Sequence, residues 1–278
     1  MTSGGEGDAA VRQSARQMGE RRFGRVNWIG LQTLALRETR RFLAVWTQTL
    51  AAPLVTAGLF LVIFTLAIGP SRGEVMGVAF TLFLAPGILM MTVIQNAFAN
   101  TSSSIVISKV QGNIVDTLMP PLSAGELVAG FLAGAAARGL VVAALIALAL
   151  WPTLGLVPAH PLWLLLISFV GACMLGALGI VAGILSNKFD QIAAITNFIV
   201  TPLAFLSGTF YTLDALPGWM RTLSHANPVF YLIDGARYGY LGTSDSNPVA
   251  GLVIVVLTTV ALSALAWRWF RIGYQLKP

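Results

Sequence analysis

LVAGFLAGAAARGLVVAALIALAL, residues 127–150, carries a single formal charge, Arg138, in 24 positions. The hydrocarbon core of a bilayer is about 30 Å thick, and a helix needs about 20 apolar residues to cross it. Residues 127–150 meet that length, and five further stretches do the same without any formal charge deep within them: roughly 50–68, 75–100, 162–185, 191–210 and 249–267. Six crossings make the expected fold class an all-α polytopic membrane protein. The whole chain agrees, with 56% hydrophobic residues, 10% charged residues and a mean hydropathy of +0.78, far from an ordinary soluble domain.

Six crossings place both termini on one side, so the basic residues can be weighed against that topology. Arg12, Arg16, Arg21, Arg22, Arg25, Arg37, Arg40, Arg41, Lys109, Lys188, Arg268, Arg271 and Lys277 fall on one side, and Arg72, Arg221 and Arg237 on the other, with Arg138 between. That bias of 13 to 3 predicts that both ends are cytoplasmic. A pI near 10.0 also suits nucleic-acid binders. Here topology and attraction to anionic headgroups account for the basic residues, so no nucleic-acid partner is expected. Residues 1–27 are polar and lack the apolar core and cleavage site of a signal peptide; they read as a disordered cytoplasmic arm.

Residues 28–46 have a helical period without spanning character. Trp28, Leu31, Ala35, Phe42 and Val45 share one side of a helical wheel, Arg37, Arg40 and Arg41 the other, and Glu38 intrudes near the apolar side. The pattern predicts an amphipathic helix in the inner interface, with the start of a long first span as the alternative. The six-helix domain then occupies residues 47–278. Residues 101–125 form the longest internal cytoplasmic connection under this topology, either a plain loop or a partner contact. Within it Ile114–Met119 suits a short helix, with Asn113 placed to cap it and Pro120-Pro121 to end it.

Beyond the fifth span, Ser207-Gly208-Thr209 interrupts the apolar pattern, and Pro217 and Pro228 punctuate the residues after it. Tyr231–Leu241 is helical in character and too short to cross. It predicts a re-entrant or interfacial outer helix in which Asp234 and Arg237, three apart, can pair. Tyr211, Trp219, Tyr231, Tyr238 and Tyr240 suit the headgroup level.

Polar residues inside the spans are few. Arg138 either lines a path for an anionic substrate or is held by an internal salt bridge or helix carbonyls. Gln95, Asn96 and Asn100 in the second span, with Asn197 and Thr201 in the fifth, face protein or a central cleft. Gly130-x-x-x-Gly134 and Gly179-x-x-x-Gly183 offer surfaces for close helix packing. Enzymatic chemistry finds little support. Cys173 is the sole cysteine, His160 and His225 are the only histidines, and no lysine sits in a phosphate-binding loop. No cofactor is expected on this chain.

NFIVTPLAFLSGTFYTLDALPGWMRTLSHANPVFYLIDGARYGYLG, residues 197–242, resembles the signature region of the ABC-2 type permeases, the membrane subunits of bacterial ABC exporters. SKVQGNIVDTLMPPLSAGELVAG, residues 108–130, resembles their cytoplasmic coupling region, and the likeness runs from about residue 28 to the end. It implies six membrane helices, an N-terminal interface helix, a coupling helix between spans two and three, and short outer helices between spans five and six. It also implies location in the bacterial inner membrane and assembly of two permease copies, as a homodimer, with two ATP-binding cassette subunits that hold ATP and Mg. Exported substrates in the family are drugs, glycans or lipid-like molecules.

Residue by residue, Asn113, Ile114, Asp116, Thr117 and Leu118 resemble the ATPase contact. Pro202, Gly208, Phe210, Asn227, Pro228 and Arg237 resemble the outer signature positions. Gln111-Gly112-Asn113-Ile114 departs from the commoner Arg-Glu-x-Gly-Thr type and is similar to the enterobacterial inner membrane transport permease branch. The expected function is an ATP-driven export permease. The alternative is an ATP-independent secondary transporter or channel, for which the sequence offers neither an ion-binding set nor an inverted repeat.

Overall fold

The computed structural model describes residues 26–213 and 216–276. Of the expected arm, only Val26 and Asn27 fall among them, and Asn27 belongs to the folded body. It is buried, and its side chain caps the first helix by accepting from the Gly30 amide at 2.9 Å.

Helix α1 (Trp28–Ala44) ends at Val45, where φ −117° and ψ 40° leave the helical region, and a π-helical turn, Thr47–Ala51, leads into α2 (Ala52–Arg72). A two-stranded hairpin, β1 (Glu74–Val75) and β2 (Val78–Ala79), reverses the chain through Met76 and Gly77, both at positive φ. The second span therefore begins at Phe80 rather than near residue 75. It also runs on past residue 100, because α3 (Phe80–Val110) continues through Thr101, Ser102, Ser103 and Ser104. Those hydroxyls read as loop in the sequence. Their polarity is met inside the bundle: Ser102 Oγ donates to the Phe98 carbonyl at 2.8 Å, and Thr101 Oγ1 crosses to the Gly176 carbonyl at 2.8 Å. The connection thus starts at Gln111, ten residues later than expected.

The remaining elements are α4 (Ile114–Leu118), α5 (Ala124–Leu154), α6 (Pro161–Leu185), α7 (Phe189–Ile195), a π turn at Thr196–Val200, α8 (Thr201–Phe205), α9 (Gly218–Ala226), α10 (Pro228–Leu241) and α11 (Pro248–Ile272). Among the described residues five helices are long and apolar enough to cross a membrane: Thr47–Ser71, Phe80–Val110, Ala124–Leu154, Pro161–Leu185 and Pro248–Ile272. The stretch expected as the fifth of six crossings is a shorter apolar run, Phe189–Phe205, of about 25 Å at helical rise.

α3 and α6 form the centre of the bundle, flanked by α5 and α10. Small residues set the close approaches. On α6, a Cβ at Gly183 would meet Ile105 at 2.9 Å, and one at Gly179 would run into Thr101 and the Phe98 carbonyl, so this pair seats α3. Gly130 and Gly134 on α5 seat α1 in the same way, against Leu34 and Glu38. The buried face of α1 is therefore Leu34, Glu38 and Phe42, while Trp28 and Val45 are exposed. The apolar wheel included Phe42 and put Glu38 near it but left out Leu34, because the small partner residues on α5, rather than apolarity alone, select this face. At the other extreme, only 6% of the apolar window of the first span is buried.

Candidate functional site

Helix α4 is short and two-sided. Ile114 and Thr117 are buried, Leu118 is half-buried, and Val115, Asp116 and Met119 are exposed. Asn113 sits at the N-cap position without capping; its backbone is at φ −99°, ψ 14°, and its Nδ2 donates to Gln111 Oε1 at 3.2 Å. The helix is instead anchored through Thr117, whose Oγ1 accepts from Arg37 Nη1 at 3.0 Å.

Arg37 leads directly to a buried carboxylate. Glu38, with no exposed surface, accepts from Arg37 Nη2 at 3.0 Å, Arg41 Nε at 3.2 Å, Arg41 Nη2 at 3.1 Å and Ser104 Oγ at 2.8 Å. A carboxylate taken from water is tolerated when paired and hydrogen-bonded, and here both oxygens are. Arg41 extends the network into α3, donating to the Asn100 carbonyl at 2.6 Å, to Asn100 Oδ1 at 3.1 Å and to Ser103 Oγ at 3.2 Å. At its N-terminal end α1 holds the segment after α4. The Asn27 amide donates to Glu126 Oε1 at 2.7 Å, and Glu126 closes a capping box with Ser123 at the start of α5. One helix thus connects α4, the loop after it, α3 and α5.

Deeper in the bundle Arg138 finds a neutral partner. Its Nη2 donates to Asn96 Oδ1 at 2.6 Å, Asn96 Nδ2 in turn donates to the Thr92 carbonyl at 2.9 Å, and no carboxylate among the described residues pairs with Arg138. Asn96 also lines a groove of about 280 Å³ between α2 and α3, whose other polar walls are Gln48, Thr56, Thr92 and Gln95, with Phe210 at one side. Gln95 and Asn96 share the wall of this groove, Arg138 lies behind it through its bond to Asn96, and Asn100 is one turn along α3. Asn197 is exposed and Thr201 half-buried on the Phe189–Phe205 run, and neither lines this groove. A larger apolar groove of about 430 Å³ lies on the other flank of α2, against α3 and α5.

On the opposite end, α10 is pinned by Arg237, which is fully buried. Its Nη2 donates to the Gly208 carbonyl at 2.8 Å, its Nη1 lies 3.5 Å from Asp245 and 3.8 Å from Asp234, and its guanidinium stacks 4.0 Å from the centre of the Phe83 ring. Burial pushes the Arg237 pKa down, and the Asp245 and Asp234 carboxylates act against that shift. Asp234 is further fixed by the Asp245 and Ser246 amides and the Ser246 hydroxyl. Asn227 caps α10 through the Val229 amide at 3.0 Å and reaches the Leu203 carbonyl at 3.0 Å, with Pro228 in the first turn. Pro202 occupies the first turn of α8, Gly208 turns at φ 79°, and the Phe210 ring stacks on Phe64 at 4.5 Å. The Asp234 and Arg237 pair expected from spacing is present, joined by Asp245. Tyr240, expected at the headgroup level, is instead buried at 2% exposure.

The sequence reading missed the Glu38 hub, the Asn27 to Glu126 link and the Phe83 face under Arg237. Only Glu38 left a signal, as an acid near the apolar side of a basic helix.

Comparison of the sequence with known proteins shows the family to which the chain belongs. The family model described as ABC-2 type transporter matches residues 30–241. The chain is 36% identical over 253 residues to the inner membrane transport permease YadH of Escherichia coli (strain K12), covering 90% of this chain and 98% of that one. It is 28% identical over 218 residues to nodulation protein J of Rhizobium leguminosarum bv. viciae, covering 73% of this chain and 81% of that protein. The matched residues take in α4, the groove and the Arg237 pin, and on that extent of agreement the chain belongs to the ABC-2 type transporter family.

Proposed function

We propose that the protein is the membrane subunit of an ATP-driven exporter in the bacterial inner membrane. It crosses six times with both termini cytoplasmic and works as a homodimer with two ATP-binding cassette subunits that carry ATP and Mg. The observation that carries the reading is Arg37, which bonds both Thr117 on α4 and buried Glu38 on α1, while Glu38 accepts from Ser104 on α3. A push on the exposed Val115, Asp116 and Met119 face therefore reaches α1 and α3 through short polar bonds rather than through a loop.

The exposed surface supports a second copy. The Phe189–Phe205 run shows Asn197 and Phe198 to its surroundings, Phe198 at 81% exposure, and a carboxamide facing acyl chains is unfavourable unless protein or water covers it. The groove with Gln95 and Asn96 then belongs to the export path, for a lipid-like, glycan or drug substrate. Direction follows from differential affinity of the inward and outward states for that substrate, and phosphoryl chemistry resides on the partner.

The test is purification of the tagged permease from its native membrane. The expected product is a complex of two permease and two ATP-binding chains with Mg-dependent ATP hydrolysis. A permease that purifies without such a chain and moves solute on an ion gradient alone contradicts the proposal and favours a secondary transporter.

A further inference from the structure

We infer that the polar groove between α2 and α3 binds the anionic headgroup of an amphiphile, with Arg138, held one hydrogen bond behind the Asn96 wall, as the source of its charge selectivity; this rests on the reading of the groove as part of the path. Arg138 is 7% exposed, and its Nε has no hydrogen-bond partner. A guanidinium in a membrane interior ordinarily meets a carboxylate, a carbonyl cluster or water. Here it meets one neutral carboxamide oxygen, that of Asn96. The nearby acid, Glu38, is already shared by Arg37 and Arg41, so three arginines stand against one carboxylate along this side of α3.

No compensating negative charge is found beside Arg138 among the described residues, and the groove beside Asn96 has room for one. Its wall adds two carboxamides, those of Gln48 and Gln95, and neither side chain bonds to another described residue, so both have amide donors free for headgroup oxygens. Anionic oxygens form the stronger hydrogen bonds with such donors. The groove also lies within the membrane-spanning part of α2 and α3, where an amphiphile enters sideways with its tail remaining among lipid chains.

The probes are phosphatidylglycerol, phosphatidylcholine and inorganic phosphate, added separately to the detergent-purified full chain, with retention read by native mass spectrometry. Wild type is expected to retain phosphatidylglycerol over phosphatidylcholine. Arg138→Gln is expected to weaken retention about tenfold, as for loss of one charge-assisted bond, and Arg138→Lys to weaken it less. Displacement by phosphate assigns the anion site to a soluble phosphate-bearing substrate, and failure to displace assigns it to a lipid headgroup; both keep the anion chemistry. Equal retention of the two lipids, or unchanged retention in Arg138→Gln, overturns the inference. Gln95→Leu removes a free donor without breaking a bond within the protein, so its melting temperature is expected to hold while its preference for phosphatidylglycerol falls. Wild-type preference in Gln95→Leu overturns the inference even where Arg138→Gln does not fold. The assay needs no ATPase, so failure of an ATP-binding chain to co-purify from the native membrane sinks the export reading and leaves a measured lipid selectivity standing, whereas loss of selectivity sinks only this inference.

Discussion

Arg37 and Thr117, eighty positions apart in the chain, are joined by a 3.0 Å hydrogen bond, and the same guanidinium pairs with buried Glu38. The side chain of α1 that faces the short helix α4 is therefore held by Glu38, which itself reaches the bundle by accepting from Ser104 on α3. In the proposed exporter this chain of bonds is what carries a push on α4 through α1 to α3.

If that bond carries energy between the two helices, Arg37→Gln and Thr117→Val are not additive. A double-mutant cycle on thermal stability is expected to return a coupling of about 0.5–1.5 kcal/mol, kept modest because Arg37 is 44% exposed. Additive effects would remove the link.

Gly134→Ala places a methyl against the Glu38 side chain in a packed site, and overpacking of this kind costs about 1–3 kcal/mol. Gly125→Ala, on the same helix, meets only Trp267 at 3.9 Å and is expected to be neutral or slightly stabilising. Melting curves of the two variants in detergent separate a specific seat for α1 from a general sensitivity of α5.

How much of this was legible in the sequence depended on what each residue answers to. The membrane crossings answer to lipid, so apolar length found them within a few residues in α5, α6 and α11. Pro120-Pro121 marked the end of α4 because proline lacks the donor that a helix needs. Thr101 to Ser104 misled because hydropathy scores hydroxyls as wet, whereas a helix offers them carbonyls and Gly176 offers one more. Glu38 stood out on the wheel, but its three donor residues come from its own helix and from Ser104, 66 positions away, which no local pattern reveals. Arg138 was readable as an anomaly and Asn96 as a polar span residue; their bond needed the packing of α3 on α5.

Arg237 is expected to be among the costliest positions outside the spans. Arg237→Met removes the cation from beside buried Asp234 and leaves the Gly208 carbonyl without the Arg237 donor, a loss of about 3–5 kcal/mol. Arg237→Lys is expected to recover only a minor part, since an ammonium cannot serve the carbonyl, two carboxylates and the Phe83 face together. Denaturant titration of both variants checks the order.

Topology is open to chemistry. In a Cys173→Ser background, a cysteine at Gln111 is expected to resist an impermeant thiol reagent in intact cells, and one at Thr243 to react; both positions are exposed in the fold. Labelling at Gln111 in sealed cells would invert the orientation.

The exposed face of α4 is the proposed seat of an ATP-binding subunit. Asp116 presents the only acidic side chain of that helix, and reversing its charge leaves the buried Ile114 and Thr117 contacts in place. The most direct measurement is the amount of ATP-binding chain that co-purifies with wild type and with Asp116→Arg, each from membranes containing equal permease. Wild type is expected to hold a stable complex and Asp116→Arg to lose most of the partner at unchanged permease melting temperature; full retention of the partner by Asp116→Arg, or no partner on wild type, would rule out α4 as the seat.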